Sequence, residues 1–183
     1  VITHGEVTPA GVTGKIFYPE IALSQDGQTI HIVWEQEYSS TRSVWYVAGQ
    51  WVGDVLTWDS PQRISPQGEH GSRPAVTVDA SDQVHIVWGR PEPDYVSPTG
   101  QTVLHKKMGA PGDPKQLNDI ALQVNDKFPT LAELTIAAGG PSLCVAWHGY
   151  YGTEGESDTE EVWMRCSADE GVSWQGGINV STS

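Results

Sequence analysis

The chain has 183 residues, with 23 acidic against 10 basic and a formal net charge of −13. That balance lacks the basic footprint that nucleic acids and anionic membranes require, so neither is an expected partner. No apolar run approaches the roughly 18 residues of a membrane span. No signal peptide is recognisable and the first residue is Val1, so a processed form, a fragment or an excised domain is expected, from a soluble protein of the secreted or cell-surface kind.

Taken in chain order, the apolar segments repeat. Residues 1–17 read as a lead-in, 18–66 as a first unit, 67–120 as a second and 121–183 as a third. The first run of each unit is Tyr18-Pro19-Glu20-Ile21-Ala22-Leu23, Arg73-Pro74-Ala75-Val76-Thr77-Val78 and Phe128-Pro129-Thr130-Leu131-Ala132-Glu133, with the prolines 55 residues apart both times. The second run is Thr29-Ile30-His31-Ile32-Val33-Trp34, Gln83-Val84-His85-Ile86-Val87-Trp88 and Ser142-Leu143-Cys144-Val145-Ala146-Trp147. A third register holds Val44-Trp45-Tyr46, Val103-Leu104-His105 and Val162-Trp163-Met164, and a fourth holds Gln62-Arg63-Ile64-Ser65, Lys115-Gln116-Leu117-Asn118 and Asn179-Val180-Ser181. Ser24-Gln25-Asp26-Gly27 and Asp79-Ala80-Ser81-Asp82 read as hairpin turns.

No long segment carries a helical period. Four short strands per unit, at about 40–55 residues each, is the pattern of a propeller blade. The second run is apolar on both faces, with Ile30, Ile32 and Trp34 on one side and His31 and Val33 on the other. Burial on both sides suits a sheet sandwiched between two neighbours. A β-sandwich is the competing architecture, but it does not explain a threefold register of proline, turn and tryptophan. The expected fold is therefore all-β: three four-stranded antiparallel propeller blades, half of a six-bladed ring.

The third unit contains Ser167-Ala168-Asp169-Glu170-Gly171-Val172-Ser173-Trp174. This resembles the Asp-box, Ser-x-Asp-x-Gly-x-Thr-Trp, of sialidase-like propellers, with Ser173 in place of Thr. Unit one keeps only Trp58, and unit two has Gly109-Ala110-Pro111-Gly112-Asp113-Pro114 instead. The resemblance covers about residues 18–181 and implies structural roles for Ser167, Asp169, Gly171 and Trp174. The polar side chains would accept turn amides, the glycine would take positive φ and the indole would plug the turn. It also implies a glycosidase site with an arginine triad, an acid/base Asp and a Tyr–Glu nucleophile pair. Of the five arginines, Arg42, Arg63, Arg73, Arg90 and Arg165, only Arg73 precedes one of the repeated prolines.

Ligands of a propeller meet its axial face, and the loops after the second strands belong there. Glu35, Glu37 and Tyr38 in unit one, Arg90, Asp94 and Tyr95 in unit two, His148 and Tyr150 in unit three, together with Arg73, are the candidate binding residues. Carboxylates there suit acid/base work or sugar hydroxyls, and tyrosines stack on sugar rings. Glu154-Gly155-Glu156-Ser157-Asp158 is acidic but lacks calcium-loop spacing, so no metal and no cofactor is expected. His31, His85 and Cys144 share one position and read as packing between blades. If Trp147 faces Trp163 across the hairpin, Cys144 faces Cys166, and a disulfide is expected. Asn179-Val180-Ser181 matches a glycosylation sequon.

Three open blades would leave two apolar faces uncovered. The leading expectation is a non-catalytic binding or assembly module outside the cytoplasm. A second copy would complete it as a dimer, or other protein subunits would, with glycan as a candidate ligand. The alternative is a glycoside hydrolase or lectin whose pocket forms on ring closure.

Overall fold

The computed structural model describes residues 14–91, 101–117, 133–151 and 159–181. The strands follow one another into three antiparallel sheets. The first holds β1 (Lys15–Leu23), β2 (Thr29–Tyr38), β3 (Thr41–Val52), β4 (Val55–Trp58) and β5 (Gln62–Arg63). The second holds β6 (Ser72–Val78), β7 (Val84–Pro91), β8 (Gln101–Lys107) and β9 (Lys115–Gln116). The third holds β10 (Glu133–Gly139), β11 (Ser142–Tyr151), β12 (Thr159–Ser167) and β13 (Ile178–Asn179). Among the described residues no helix is long and apolar enough to cross a membrane.

The fourth register of the sequence is occupied by β5, β9 and β13, each pairing with the third strand of its sheet. The first sheet carries one strand more than the repeat suggests. β3 runs on past the pairing with β2, turns at Gly53 (φ +63°) and pairs back with β4. β4 ends on Trp58, whose ring lies on Gly49. A Cβ at Gly49 would come within 2.5 Å of that ring, so only glycine fits beneath it. The Asp59 amide donates to the Ala48 carbonyl, as the Gln175 amide donates to that of Cys166. Trp58 therefore occupies the place of Trp174, but a strand delivers it in unit one and a loop in unit three.

The repeated prolines mark β-bulges. The β1–β2 register shifts between Phe17 and Glu20, and the β6–β7 register between Ser72 and Ala75. Pro19 and Pro74 sit inside those shifts, where a missing N–H leaves no ladder bond unmade. The residue before each proline is left-handed, with φ of +50° at Tyr18 and +49° at Arg73. In the third sheet the described first strand runs on from Glu133, where the proline-marked run of the sequence ends, and its described register with β11 has no shift. Leu134 and Ile136, opposite Trp147 and Val145, give this strand its buried face. Residues 128–132 lie outside the described residues.

The sheets stack face to face, and two cores form. Between the first and second sheets lie Val33, Val44 and Tyr46 against Val84, Ile86, Trp88 and Leu104. Between the second and third lie Ala75, Val87, Val103 and Leu117 against Ile136, Val145 and Trp147. The middle sheet is thus apolar on both faces: Ile86, Val87 and Trp88 are all fully buried. At about 25 cal/mol per Å² of apolar area, such two-sided burial is the main stabilising term. The outer faces of the flanking sheets stay open, with Ile21 63% and Leu23 53% exposed on the first and Ile178 52% on the third.

Candidate functional site

The innermost strands β1, β6 and β10 lie side by side and border a cleft of about 490 Å³. Tyr18 and Glu20 come from β1, Arg73, Pro74 and Ala75 from β6, and Glu133, Leu134 and Thr135 from β10. Ala146, Trp147 and Val162 form its far wall. The two bulges explain how polar side chains reach it. Each lifts one residue out of the ladder, and the left-handed backbone turns Tyr18 and Arg73 toward each other. The Arg73 guanidinium carbon sits 4.8 Å from the centre of the Tyr18 ring. Left-handed backbone at a residue with a side chain costs about 1–2 kcal/mol, a strain that recurs at binding sites.

Glu35 anchors this geometry from behind. It is fully buried, and its Oε2 accepts a hydrogen bond from the Arg73 amide at 3.0 Å, tying the end of β2 to the bulge of β6. Its Oε1 lies 3.3 Å from Arg42 Nη1. Burial pushes the Glu35 carboxyl up, while the Arg73 amide and the charges of Arg42 and Arg73 pull against it. Glu35 is therefore a support for Arg73 rather than part of the cleft lining.

The arginines differ in how they are held. Arg42 pairs with Glu35 and Glu37, and Arg90 with Glu69. Arg63 donates to the carbonyls of Ser65, Pro66 and Glu69, and Arg165 to those of Leu117 and Gln175. The Arg73 guanidinium makes no hydrogen bond or ion pair among the described residues; its one contact of that kind is the Tyr18 ring.

The other expected binding residues are dispersed. Glu37 is held by Arg42 at 3.3 Å. Tyr38 precedes a two-residue turn at Ser39 and Ser40, both at positive φ, and is 60% exposed. Arg90 lies in β7 opposite Thr102. His148 and Tyr150 are positions of β11 opposite Val162 and Glu160. Asp94, Tyr95 and the acidic run 154–158 lie outside the described residues. Among the described side chains of the expected set, Arg73 alone lines the cleft. Sequence reasoning missed Tyr18, Glu20, Glu133 and Trp147 as lining residues, although the residues flanking the repeated prolines carried the signal for the first two.

The Asp-box residues bond to one another. Ser167 Oγ donates to Asp169 Oδ1 at 2.8 Å and accepts from the Gly171 amide at 2.9 Å. Asp169 also accepts from the Ser173 amide and hydroxyl, which with the Ser167 bond holds its carboxyl down at about 2. Gly171 has φ +82°, and Trp174 Nε1 donates to its carbonyl. Ser173 thus supplies the hydroxyl that Thr has in the motif. The loop lies at the end of the sheets where β1, β6 and β10 finish, opposite the cleft.

The shared position faces the second sheet from the first at His31 and the third sheet from the second at His85, while at Cys144 it lies on the outer face of the third sheet. His31 Nδ1 lies 2.9 Å from Tyr46 Oη. His85 bonds both Asp79 and His105. Cys144 stands directly opposite Cys166 and is bridged to it, with a Cα separation of 4.1 Å. The Cys166 carbonyl points away from β11 to Gln175, so the pair is a non-hydrogen-bonded one, the closer kind in an antiparallel ladder.

No family model and no curated protein matches the chain. Among solved structures it is similar to an exo-1,5-alpha-L-arabinanase from a bovine ruminal metagenomic library, with a TM-score of 0.56 at 13% identity. The match covers 93% of this chain and 61% of that one, so the chain spans about three fifths of that structure's length. At this identity the likeness shows the fold alone: the three sheets are blades of the propeller type. It bears on that fold and not on the Asp-box family in particular.

Proposed function

We propose that the chain is the carbohydrate-binding part of an extracytoplasmic, sialidase-like β-propeller, and that it binds through the cleft without catalysing a reaction itself. The observation that carries this reading is Arg73. In an acidic chain where every other guanidinium is hydrogen-bonded or ion-paired, this one lies on Tyr18 in a cleft with neither among the described residues. A planar, unpaired guanidinium beside a tyrosine ring suits a polyhydroxylated ligand: the ring gives a stacking face and the fork gives donors. Glu20 and Glu133 add acceptors for sugar hydroxyls. The Cys144–Cys166 bridge supports an oxidising compartment. The open faces with Ile21, Leu23 and Ile178 would be covered by a second copy or by further blades.

A glycoside hydrolase is the second reading, favoured by the name of the similar structure and by two carboxylates in one cleft. One set of measurements separates the two. Titration with arabino-oligosaccharides and with sialosides should show binding that Arg73→Ala weakens at least about tenfold while the melting temperature holds. Turnover of fluorogenic arabinosides or sialosides, lost in Glu20→Gln or Glu133→Gln, would replace the non-catalytic reading. Absence of any saccharide binding would remove both.

A further inference from the structure

We propose that Asp79, His85 and His105 form an acid-sensitive latch that holds the third sheet on the second. The three side chains make a buried chain of hydrogen bonds. His85 Nε2 lies 3.0 Å from Asp79 Oδ2, and His85 Nδ1 lies 3.0 Å from His105 Nε2. The imidazole rings stack, with centres 5.3 Å apart. Exposure is 1% at Asp79, 0% at His85 and 4% at His105, so water does not complete the set.

The bonding order fixes the protons. Asp79 is an acceptor, since its other oxygen already takes the amides of Ser81 and Gln83. His85 must then donate through Nε2 and accept through Nδ1, and His105 donates through its own Nε2. Both rings are neutral. A further proton has one place to go, His105 Nδ1, which has no acceptor among the described residues.

The far side of His105 is the third sheet. Its Cε1 would stand 2.7 Å from a Cβ at Gly171, and its ring meets Trp174 edge-on at 5.1 Å. The Asp-box loop therefore closes directly on the histidine. The charged groups facing it are Lys107 on its own strand, Lys115 on β9 and Glu170 on the loop. Lys107 Nζ pairs with Glu170 at 3.0 Å, and Lys115 Nζ donates to the Val172 carbonyl. Glu170 also accepts from Ser81 Oγ. A cation at His105 would lie close to two ammonium groups and under an indole, with only 4% of the residue exposed where it lines a small cleft with Lys107, Lys115 and Gly171. It gains full hydration when the loop lifts.

Burial is the first cause holding His105 down at about 3, with His85, Lys115 and Lys107 adding to it; burial also lowers His85. The lifted state takes up protons near the ordinary histidine value and the closed state does not. The latch is thus fully closed above about pH 6.5 and loses hold as pH falls from there toward 3. One proton makes the closing constant fall about tenfold per pH unit in that window.

The test is hydrogen exchange of the whole chain between pH 7 and pH 4, expressed as protection factors. Amides of β11 and β12 should lose protection about tenfold per pH unit, while those of β2 and β3 hold. His105→Gln retains a side-chain N–H for His85 but cannot titrate, and it should flatten the loss. Equal acid loss in all three sheets, or the same slope in His105→Gln, would overturn the proposal. If that variant does not fold, the wild-type imidazole resonances decide. A His105 that titrates near 6.5 in the closed protein refutes the latch, and one silent down to pH 4 supports it.

Discussion

Breaking the Cys144–Cys166 bridge gives a direct measure of how this fold is held at its open face. The cysteines are separated by 22 residues. Closing a loop of that length removes about 11 cal/mol/K from the unfolded chain, or about 3.4 kcal/mol at about 25 °C. The double variant Cys144→Ala, Cys166→Ala should lose about that much, and reduced wild type should match it. With a urea slope of roughly 1–3 kcal/mol/M, the midpoint should fall by about 1–3 M. Trp147 and Trp163, opposite one another beside the bridge, make intrinsic fluorescence a local probe. Because the bridge acts on the unfolded chain, most of the loss should appear as slower refolding rather than faster unfolding. A midpoint change below about 0.3 M, or two free thiols in the unreduced protein, would refute the reasoning.

Gly171→Ala places a methyl group 2.7 Å from His105 at φ +82° and should cost about 2 kcal/mol or more, read by chemical denaturation. Trp88→Ala empties a fully buried site in the middle sheet and should cost about 3–5 kcal/mol, enough to abolish cooperative melting in a marginal background. Asp169 ionises at about 2 in the folded chain against 3.8 for the free group, so its contribution is present above about pH 4 and lost as pH falls toward 2. Asp169→Asn should therefore be less stable than wild type at pH 6 and converge with it near pH 2 in acid titrations. Glu35 has the opposite sign. Burial raises its carboxyl, so its stabilising effect is complete below about 4.5 and falls as pH rises through the raised value. Glu35→Gln should gain on wild type in thermal melts between pH 4 and pH 8.

Much of the fold was legible because burial leaves a periodic trace. Trp34, Trp88 and Trp147 recur at one register and all are buried, Trp88 and Trp147 against a neighbouring sheet, and the pairing of Cys144 with Cys166 follows from that register alone. The cleft was less legible. Which strand borders the axis decides which side chains meet there, and the strand flanking the cleft brings Tyr18 and Glu20, which no loop reading singled out. The prolines were read as strand markers. Pro19 and Pro74 mark bulges, and β10 runs on past Glu133, where the repeated run of the sequence ends. The His85–His105 contact is diagonal across two strands, and its partner Gly171 comes from another sheet. No linear spacing encodes such a meeting.

The turns opposite the cleft have a mechanical meaning. The Gln25 amide donates to Asp82 Oδ1 and its side chain to the Asp79 carbonyl, while Ser81 and Lys107 both reach Glu170. These bonds string the three sheets together at one end, as a rivet joins the sticks of a fan. Tyr18, Arg73 and Glu133 sit at the other end, about six residues or ~20 Å along the strands. A small rotation at the rivet becomes a larger spread at the cleft. Side chains that never touch a ligand, such as Gln25 and Asp82, thereby set the width of the mouth that a ligand would enter.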